Sequence, residues 1–159
     1  FDIIKGKTAS LLASACAAGA HTTFTDTAHV ESMKNFGEKV GMAFQLKDDL
    51  FDYGSASIGK PTGNDIKEKK LTLPLIYTLN KCEPALRKKI IYIVKNENTQ
   101  KEKVQFVIGA VNEAGGIAYA EKKMFAFRDE ALTILHQFPD SEVRDALEEL
   151  VRYTTDRKY

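Results

Sequence analysis

Hydrophobic residues recur at helical spacing along most of this chain, and glycine, proline or short polar clusters separate the periodic stretches. A repeat of about 3.6 residues places apolar side chains on one face of a helix. Glycine and proline are few, with 10 and 4 residues, whereas alanine and leucine are frequent. This composition favours helix over sheet. The pattern predicts an all-α protein with helices at about residues 3–20, 27–53, 74–80, 84–95, 99–114, 117–137 and 139–153.

Particular residues mark the ends of the predicted helices. Asp26 and Thr27 are alternative N-caps for the second helix, because a short oxygen-bearing side chain accepts a hydrogen bond from the first turn. Thr99 and Glu102 have the spacing of a capping box. The pair at 115–116 is Gly-Gly, which ends one helix before the next begins. We expect one all-α segment over residues 1–159, with no second domain.

The second predicted helix carries both a core stripe and an acidic cluster. At about 100° per residue, one narrow arc contains the apolar side chains expected in the core: Met33, Phe36, Val40, Phe44 and Phe51. Gln45, Asp48 and Asp52 begin at the edge of that arc, and Asp49 lies further round. The carboxylates therefore border apolar surface.

Residues 54–70 have no clear apolar period and contain Gly54, Gly59, Pro61 and Gly63. They predict the one long loop of the chain. Long loops inside compact domains are often functional. Lys60 lies within this loop beside glycines that let backbone amides approach an anion.

Charge and cysteine content exclude several classes of function. The chain has 159 residues, with 23 basic and 22 acidic side chains and a net charge of +1. We expect no nucleic-acid partner, because this balance gives no net field to hold a polyanion. Two cysteines, neither in a CxxC pattern, indicate a reducing compartment. The longest apolar stretch, residues 9–20, is too short to span a bilayer, so we expect no transmembrane segment and a cytoplasmic location.

Like charges one helical turn apart are destabilising unless a cation lies between them. Asp48, Asp49 and Asp52 therefore predict a site for Mg²⁺, which takes carboxylate oxygens and the phosphate oxygens of a substrate. Lys7 and Lys60 are candidates to hold that phosphorylated ligand. The alternative is ordinary: acidic clusters on helices are usually solvated, and lysines are usually surface residues.

The motifs, taken together, resemble a known family. Residues 41–52 read GMAFQLKDDLFD, residues 59–65 read GKPTGND, residues 72–74 read TLP, and Lys7-Thr8 precedes them. This order resembles the second aspartate-rich region of the trans-isoprenyl diphosphate synthases, and its detail most resembles the bacterial polyprenyl diphosphate synthases. The resemblance implies an isoprenoid synthase-like helical bundle around a central cavity, usually a homodimer.

The same resemblance implies a prenyltransferase reaction. An allylic diphosphate ionises with the help of Mg²⁺, isopentenyl diphosphate attacks the cation, and a proton is lost. Asp48, Asp49 and Asp52 would hold Mg²⁺ against the allylic diphosphate. Lys7 and Lys60 would contact that diphosphate directly.

Four further residues take roles from the resemblance. Thr8 and Gln45 would point oxygens at the developing cation, and Phe44 would line the cavity beside the prenyl group. Asp65 would support this pocket. No side chain is assigned as the proton acceptor, because in this family the released diphosphate is thought to serve.

The family carries a first aspartate-rich motif, and this chain has no second DDxxD. We therefore expect the chain to correspond to the C-terminal half of such an enzyme, completed by an absent N-terminal half or another polypeptide. We expect little synthase activity from it alone. Two alternatives remain: a class I terpene cyclase, and a non-catalytic regulatory subunit of a heteromeric prenyl synthase.

Overall fold

The computed structural model describes residues 1–54 and 62–157. These residues form two compact units. The first contains the described residues of 1–47 and 123–158, and the second contains those of 48–122. All regular structure in the described residues is helical, which confirms the predicted all-α fold class.

The helices, in chain order, have the following bounds. A short helix α1 leads into a π-helical turn and then α2, and seven further helices follow. They are α1 (Asp2–Ile4), the π-helical turn (Lys5–Ala9), α2 (Ser10–His21), α3 (Thr27–Phe51), α4 (Asn64–Lys67), α5 (Leu73–Lys81), α6 (Pro84–Asn96), α7 (Lys101–Glu113), α8 (Gly116–Leu135) and α9 (Glu142–Asp156).

Most predicted helix ends agree with the structure to within two residues. The Oδ1 atom of Asp26 accepts a hydrogen bond of 2.9 Å from the backbone amide of Ala28, so Asp26 caps α3. Gly115 has a φ of 76° just before α8 begins. This left-handed conformation suits glycine and ends α7, as predicted.

Two expectations about helix ends were wrong. Thr99 and Glu102 form no capping box, because α7 has Gln100 at its N-cap and no side-chain hydrogen bond there. The last helix begins at Glu142 rather than at Pro139. Ser141 caps it, since its hydroxyl oxygen accepts a hydrogen bond of 3.2 Å from the amide of Arg144. A serine with β-region backbone forms a better N-cap than the proline that precedes it.

The predicted loop at 54–70 is not wholly irregular. Helix α4 spans Asn64–Lys67, so the expectation of an uninterrupted loop was wrong for these residues. Residues 55–61, which include Lys60, lie outside the described residues. Ile66 is fully buried and draws the turn into the core of the second unit. A single buried isoleucine in four residues is too short a signal for a periodicity argument.

The core of the first unit is built on the predicted face of α3. Phe36 and Val40 are buried and pack with side chains of α8 and α9: Ala131, Leu132, Leu135 and Val151. Met33 packs against this cluster while remaining partly exposed. Phe44 and Phe51 are only half-buried, whereas Met42, Ala43 and Leu46 are buried outside the predicted stripe. Helix α3 is therefore covered on more than one face.

The second unit has its own core around α5, α6 and α7. Its fully buried side chains are branched aliphatics: Ile66, Leu75, Ile90, Val107 and Val111. Pro74 lies in the first turn of α5, where its missing N–H costs no helical hydrogen bond. Among the described residues, no helix is both long enough and apolar enough to cross a membrane.

Gly63 and Gly115 form a matched pair for testing how closely Gly63 packs against Val104 in the second unit. Both have positive φ, 78° and 76°. A Cβ at Gly63 would overlap Cγ1 of buried Val104, whereas a Cβ at Gly115 meets no described heavy atom within 4 Å. We expect Gly115→Ala to lower the free energy of unfolding by about 1 kcal/mol through backbone strain alone. We expect Gly63→Ala to lower it by about 2–4 kcal/mol, because overpacking adds to strain.

Urea denaturation of the two variants measures this difference. Equal losses for Gly63→Ala and Gly115→Ala would contradict the close approach of Gly63 to Val104. Adding Val104→Ala to each variant should reduce the extra loss at Gly63 only.

Candidate functional site

Lys7 and Thr8 lie in the π-helical turn, Lys5–Ala9. The amide of Ser10 bonds to the carbonyl of Lys5, which is the i→i+5 spacing of a π turn. The Ser10 hydroxyl donates a hydrogen bond of 2.8 Å to the carbonyl of Gly6. Turns of this kind interrupt helices frequently at functional sites. The helix predicted at residues 3–20 is therefore not one regular α-helix, because the π-helical turn interrupts it.

Thr8 and Gln45 are brought together by the fold of the first unit. The Thr8 hydroxyl donates a hydrogen bond of 2.8 Å to Oε1 of Gln45, and the two residues are 37 positions apart. Both side chains are half-buried. Lys7, by contrast, is exposed. Two of the predicted site residues are therefore direct neighbours.

Two glycines of α3 explain how the helix comes this close. A Cβ on Gly41 would lie 2.5 Å from Cα of Ala9, and one on Gly37 would lie 2.5 Å from the carbonyl oxygen of Leu12. Gly37 and Gly41 are one helical turn apart, so they share a face. That face lets the backbones of α2 and the π-helical turn approach α3 without a side chain between them.

Phe44 is half-buried, and the guanidinium group of Arg157 lies over its ring. The guanidinium carbon of Arg157 lies 4.5 Å from the ring centroid, which is a cation–π distance. Phe44 is predicted from the family resemblance to line a cavity, whereas Arg157 is not among the predicted site residues. The two are 113 positions apart along the chain, so helical spacing carries no signal of this contact.

The aspartates at the end of α3 belong to the second unit. Asp49 and Asp52 are buried, with 8% and 9% of their surface exposed, and Asp48 is half-buried. The Asp52 carboxylate accepts hydrogen bonds from the backbone amides of Asn64, at 2.7 Å, and Asp65, at 3.0 Å. The Asp52 carbonyl accepts one of 2.9 Å from the amide of Gly63. Asp52 therefore ties the chain after α3 to the first residues of α4.

Burial dominates the electrostatics of Asp52. Loss of solvent raises the pKa of its carboxyl above the ordinary 3.8, while the amides of Asn64 and Asp65 and the charge of Lys67 lower it and the charge of Asp65 raises it. Ionisation of Asp52 therefore opposes folding. The protonated form of Asp52 therefore contributes to the stability of the fold. This contribution is complete below pH 3.8 and is lost as the pH rises through the raised pKa.

A hydrogen bond joins Tyr53, just after α3, to Thr72, just before α5. The Tyr53 hydroxyl lies 2.8 Å from Oγ1 of Thr72, and both side chains are buried. Burial raises the pKa of Tyr53 above its ordinary value, and the charges of Asp52, Asp65 and Asp49 raise it further. Tyr53 is therefore neutral over the physiological range. Neither residue is among the predicted site residues.

The donor chemistry of the aspartate group suits a hard cation only in part. Within residues 1–54 and 62–157, no three acidic, histidine or cysteine side chains form a group that could hold a metal ion. Mg²⁺ does not need such a cage, because one or two carboxylates, several waters and substrate phosphates usually complete its shell. Buried Asp49 and half-buried Asp48 are consistent with that mode. Asp65 is half-buried and pairs with Lys70 at 3.5 Å.

Comparison with known proteins identifies relatives over nearly the whole chain. The family model for polyprenyl synthetase matches residues 1–111. Solanesyl-diphosphate synthase 2 of rice (Oryza sativa subsp. japonica, chloroplastic) is 35% identical over 153 residues, covering 95% of this chain and 37% of the relative. Heptaprenyl diphosphate synthase component 2 of Bacillus subtilis is 30% identical over 158 residues, covering 98% of this chain and 44% of the relative.

Solved structures give the same result. Geranylgeranyl pyrophosphate synthase from Bacteroides thetaiotaomicron superposes with a TM-score of 0.87 and 34% identity, covering 99% of this chain and 51% of that one. Polyprenyl synthase from Caulobacter crescentus, complexed with calcium and isoprenyl diphosphate, gives 0.88 and 31%, covering 99% and 48%. The chain thus spans between 37% and 51% of the length of these relatives.

Gly41 can be tested against Gly19, a second helical glycine of the first unit. An added Cβ at Gly19 meets no described heavy atom within 4 Å, whereas at Gly41 it meets the Ala9 backbone. We expect Gly19→Ala to raise the free energy of unfolding by about 0.5–1 kcal/mol, because alanine is the better helix former. We expect Gly41→Ala to lower it by at least about 2 kcal/mol, since a backbone must move. Chemical denaturation decides; stabilisation by Gly41→Ala would contradict the close packing.

The role of Asp52 can be tested by amide hydrogen exchange. In Asp52→Ala the amides of Asn64 and Asp65 both lose their acceptor, and we expect their exchange to accelerate at least tenfold. In Asp52→Asn one carbonyl oxygen remains, so only one of the two amides should keep its protection. Asp129→Asn removes an exposed carboxylate of α8 and serves as the control. Unchanged protection in Asp52→Ala would contradict the anchoring role.

Proposed function

This chain belongs to the polyprenyl synthetase family, and we propose that it takes part in joining isopentenyl diphosphate to an allylic diphosphate with the help of Mg²⁺. Its reported relatives are prenyl synthases whose names give products from geranylgeranyl to solanesyl diphosphate. The proposal is therefore for the reaction class, trans-prenyl transfer, and not for one product.

The observation that carries the proposal is the burial of carboxylates at the end of α3. Asp49 and Asp52 are both less than a tenth exposed. Buried carboxylates are costly unless hydrogen bonds or cations compensate them. Backbone amides compensate Asp52 in part, and we assign Asp48, Asp49 and Asp52 to hold Mg²⁺ together with the substrate diphosphate. When bound, Mg²⁺ would neutralise the negative charge that develops on the leaving diphosphate. The Caulobacter crescentus relative was solved with calcium and isoprenyl diphosphate, which supports a divalent cation here.

The other site residues bind and orient the substrate in this proposal. Lys7 is exposed, and we assign its ammonium group to binding the diphosphate; Lys60 is assigned the same role from its sequence motif. Thr8 donates a hydrogen bond to Oε1 of Gln45, so the hydroxyl oxygen of Thr8 keeps lone pairs that a positive centre can approach. In this proposal the oxygens of Thr8 and Gln45 would stabilise the allylic cation.

Phe44 would line the prenyl pocket with one part of its ring only. Arg157 lies over the ring, so the face it covers cannot receive a second positive charge. Asp65 would support the pocket by holding its amide on Asp52. Its carboxylate pairs with Lys70.

We also propose that the active form is an assembly. The chain spans less than half the length of the rice and Bacillus relatives, and we expect little turnover from these 159 residues alone. A homodimer is the simplest assembly. The Bacillus subtilis relative is named component 2, which favours a heteromeric partner as the second candidate. The cytoplasmic location stays a prediction.

Calorimetric titration with methylene diphosphonate tests the proposed site without requiring turnover. We expect the wild-type chain to bind this diphosphate analogue with Mg²⁺ and to show no binding heat in EDTA. Asp48→Ala should weaken the Mg²⁺-dependent binding at least tenfold, because one lost carboxylate removes a ligand and a charge. Asp129→Ala, which removes an exposed carboxylate of α8, should bind like wild type.

Two outcomes would overturn the assignment. Binding that is the same with Mg²⁺ and with EDTA would remove the metal from the site. Wild-type affinity in Asp48→Ala would remove Asp48 from it.

A further inference from the structure

The second unit contains a cavity that the proposed reaction does not use. Its volume is about 500 Å³, within the range of small-molecule sites. Its floor is apolar, formed by buried side chains of α5 and α6 that include Leu79, Ile90 and Val94. None of the aspartates assigned to magnesium lines it.

Three cations line the same cavity: Lys69, Arg87 and Lys95. None of the described residues that line it is acidic. Within the described part of the chain these three side chains form no ion pair. Neighbouring lysines behave differently, because Lys70 pairs with Glu68 at 2.6 Å and Lys103 pairs with Glu97 at 3.4 Å. The described lining of the cavity thus carries three basic side chains and no acidic one.

Lys69 also occupies an unfavourable backbone conformation. Its φ is 59°, and it is the one described non-glycine residue with positive φ. The amide of Lys70 bonds to the carbonyl of Asp65 at 2.8 Å, five residues back, which is the geometry that closes a helix with a left-handed residue. Glycine is the usual residue at that position. A lysine there strains the backbone and places its charge at the cavity.

We propose that this cavity binds an amphiphilic anion, a single hydrocarbon chain ending in a phosphate or carboxylate. The apolar floor gives the chain a dry surface, and Lys69, Arg87 and Lys95 face its charged end. The site is separate from the aspartate group, so the proposal goes beyond the proposed function and does not depend on it.

The charge and the apolar floor together restrict the ligand class. A small inorganic anion would leave the floor unused, and exposed lysines bind such an ion weakly. A neutral amphiphile would leave the three cations without partners. Only a molecule with both parts uses both surfaces. Fatty acids and monoalkyl or prenyl phosphates share this chemistry.

Titration with decyl phosphate in EDTA, below its micelle concentration, tests the proposal on the 159-residue chain. We expect saturable binding with one site, and octyl phosphate should bind about fourfold more weakly per methylene removed. Decanoate distinguishes a carboxylate source from a phosphate source, and binding by either supports the proposal. Decyl maltoside and inorganic phosphate should each bind at least tenfold more weakly. Equal binding by decyl maltoside, or no saturable binding by either anion, would overturn it.

Two matched variants separate the site from general surface charge. Arg87→Gln should weaken decyl phosphate binding about two- to fivefold, the range for an exposed charge contact. Lys88→Gln removes the next cation on α6, which does not line the cavity, and should bind like wild type. Equal effects of the two variants would overturn the assignment.

Lys69→Gly gives a second, independent test. Glycine relieves the positive φ, so the melting temperature should equal or exceed that of wild type while decyl phosphate binding weakens about two- to fivefold. Unchanged affinity would remove Lys69 from the site. If this variant folds poorly, the comparison of Arg87→Gln with Lys88→Gln still decides.

Discussion

The carboxylate of Asp52 is the constraint on which the proposed metal site depends. The two carboxylate oxygens accept hydrogen bonds from the backbone amides of Asn64 and Asp65. The main-chain carbonyl of Asp52 accepts one from the amide of Gly63. A side chain at the end of a long helix is thus bonded to the first residues of α4. The same carboxylate is buried, and burial raises its pKa. Two backbone hydrogen bonds therefore hold a carboxylate whose ionisation opposes folding, and a bound cation would relieve that cost.

A second constraint acts on the threonine and glutamine of the first unit. Thr8 reaches Gln45 because Gly41 leaves no side chain against Ala9, which is fully buried. The π-helical turn contributes as well, since it widens the helix at Thr8. The turn leaves the carbonyl of Gly6 to the hydroxyl of Ser10. Gly41, Gly6 and Ser10 have no part in the proposed reaction themselves. They help to position Thr8 and Gln45, which are assigned to it.

The sequence predicts the parts of this structure that depend on local pattern. Helix α3, its Asp26 cap and the glycine break at 115 follow from periodicity and backbone preference. Contacts between distant residues leave no such pattern. The Tyr53–Thr72 hydrogen bond and the Arg157 cation over Phe44 join side chains that spacing does not relate. The prediction of a capping box at Thr99 was wrong for a different reason. A motif of two residues marks a helix start only when the backbone enters the helix at that residue, and α7 has its N-cap one residue later, at Gln100.

Five cations of the second unit fall into two groups: Lys70 and Lys103 form ion pairs, and Lys69, Arg87 and Lys95 line the cavity. Lys70 and Lys103 have carboxylate partners at 2.6 and 3.4 Å, and such exposed pairs contribute little to stability. Neither lysine lines the neighbouring cavity, whose described lining contains Lys69, Arg87 and Lys95 and no acidic residue. Of these three, Lys69 has the strained backbone, with a φ of 59°. Glycine is the usual residue at such a φ, and the proposed anion site gives this lysine a role that glycine could not take.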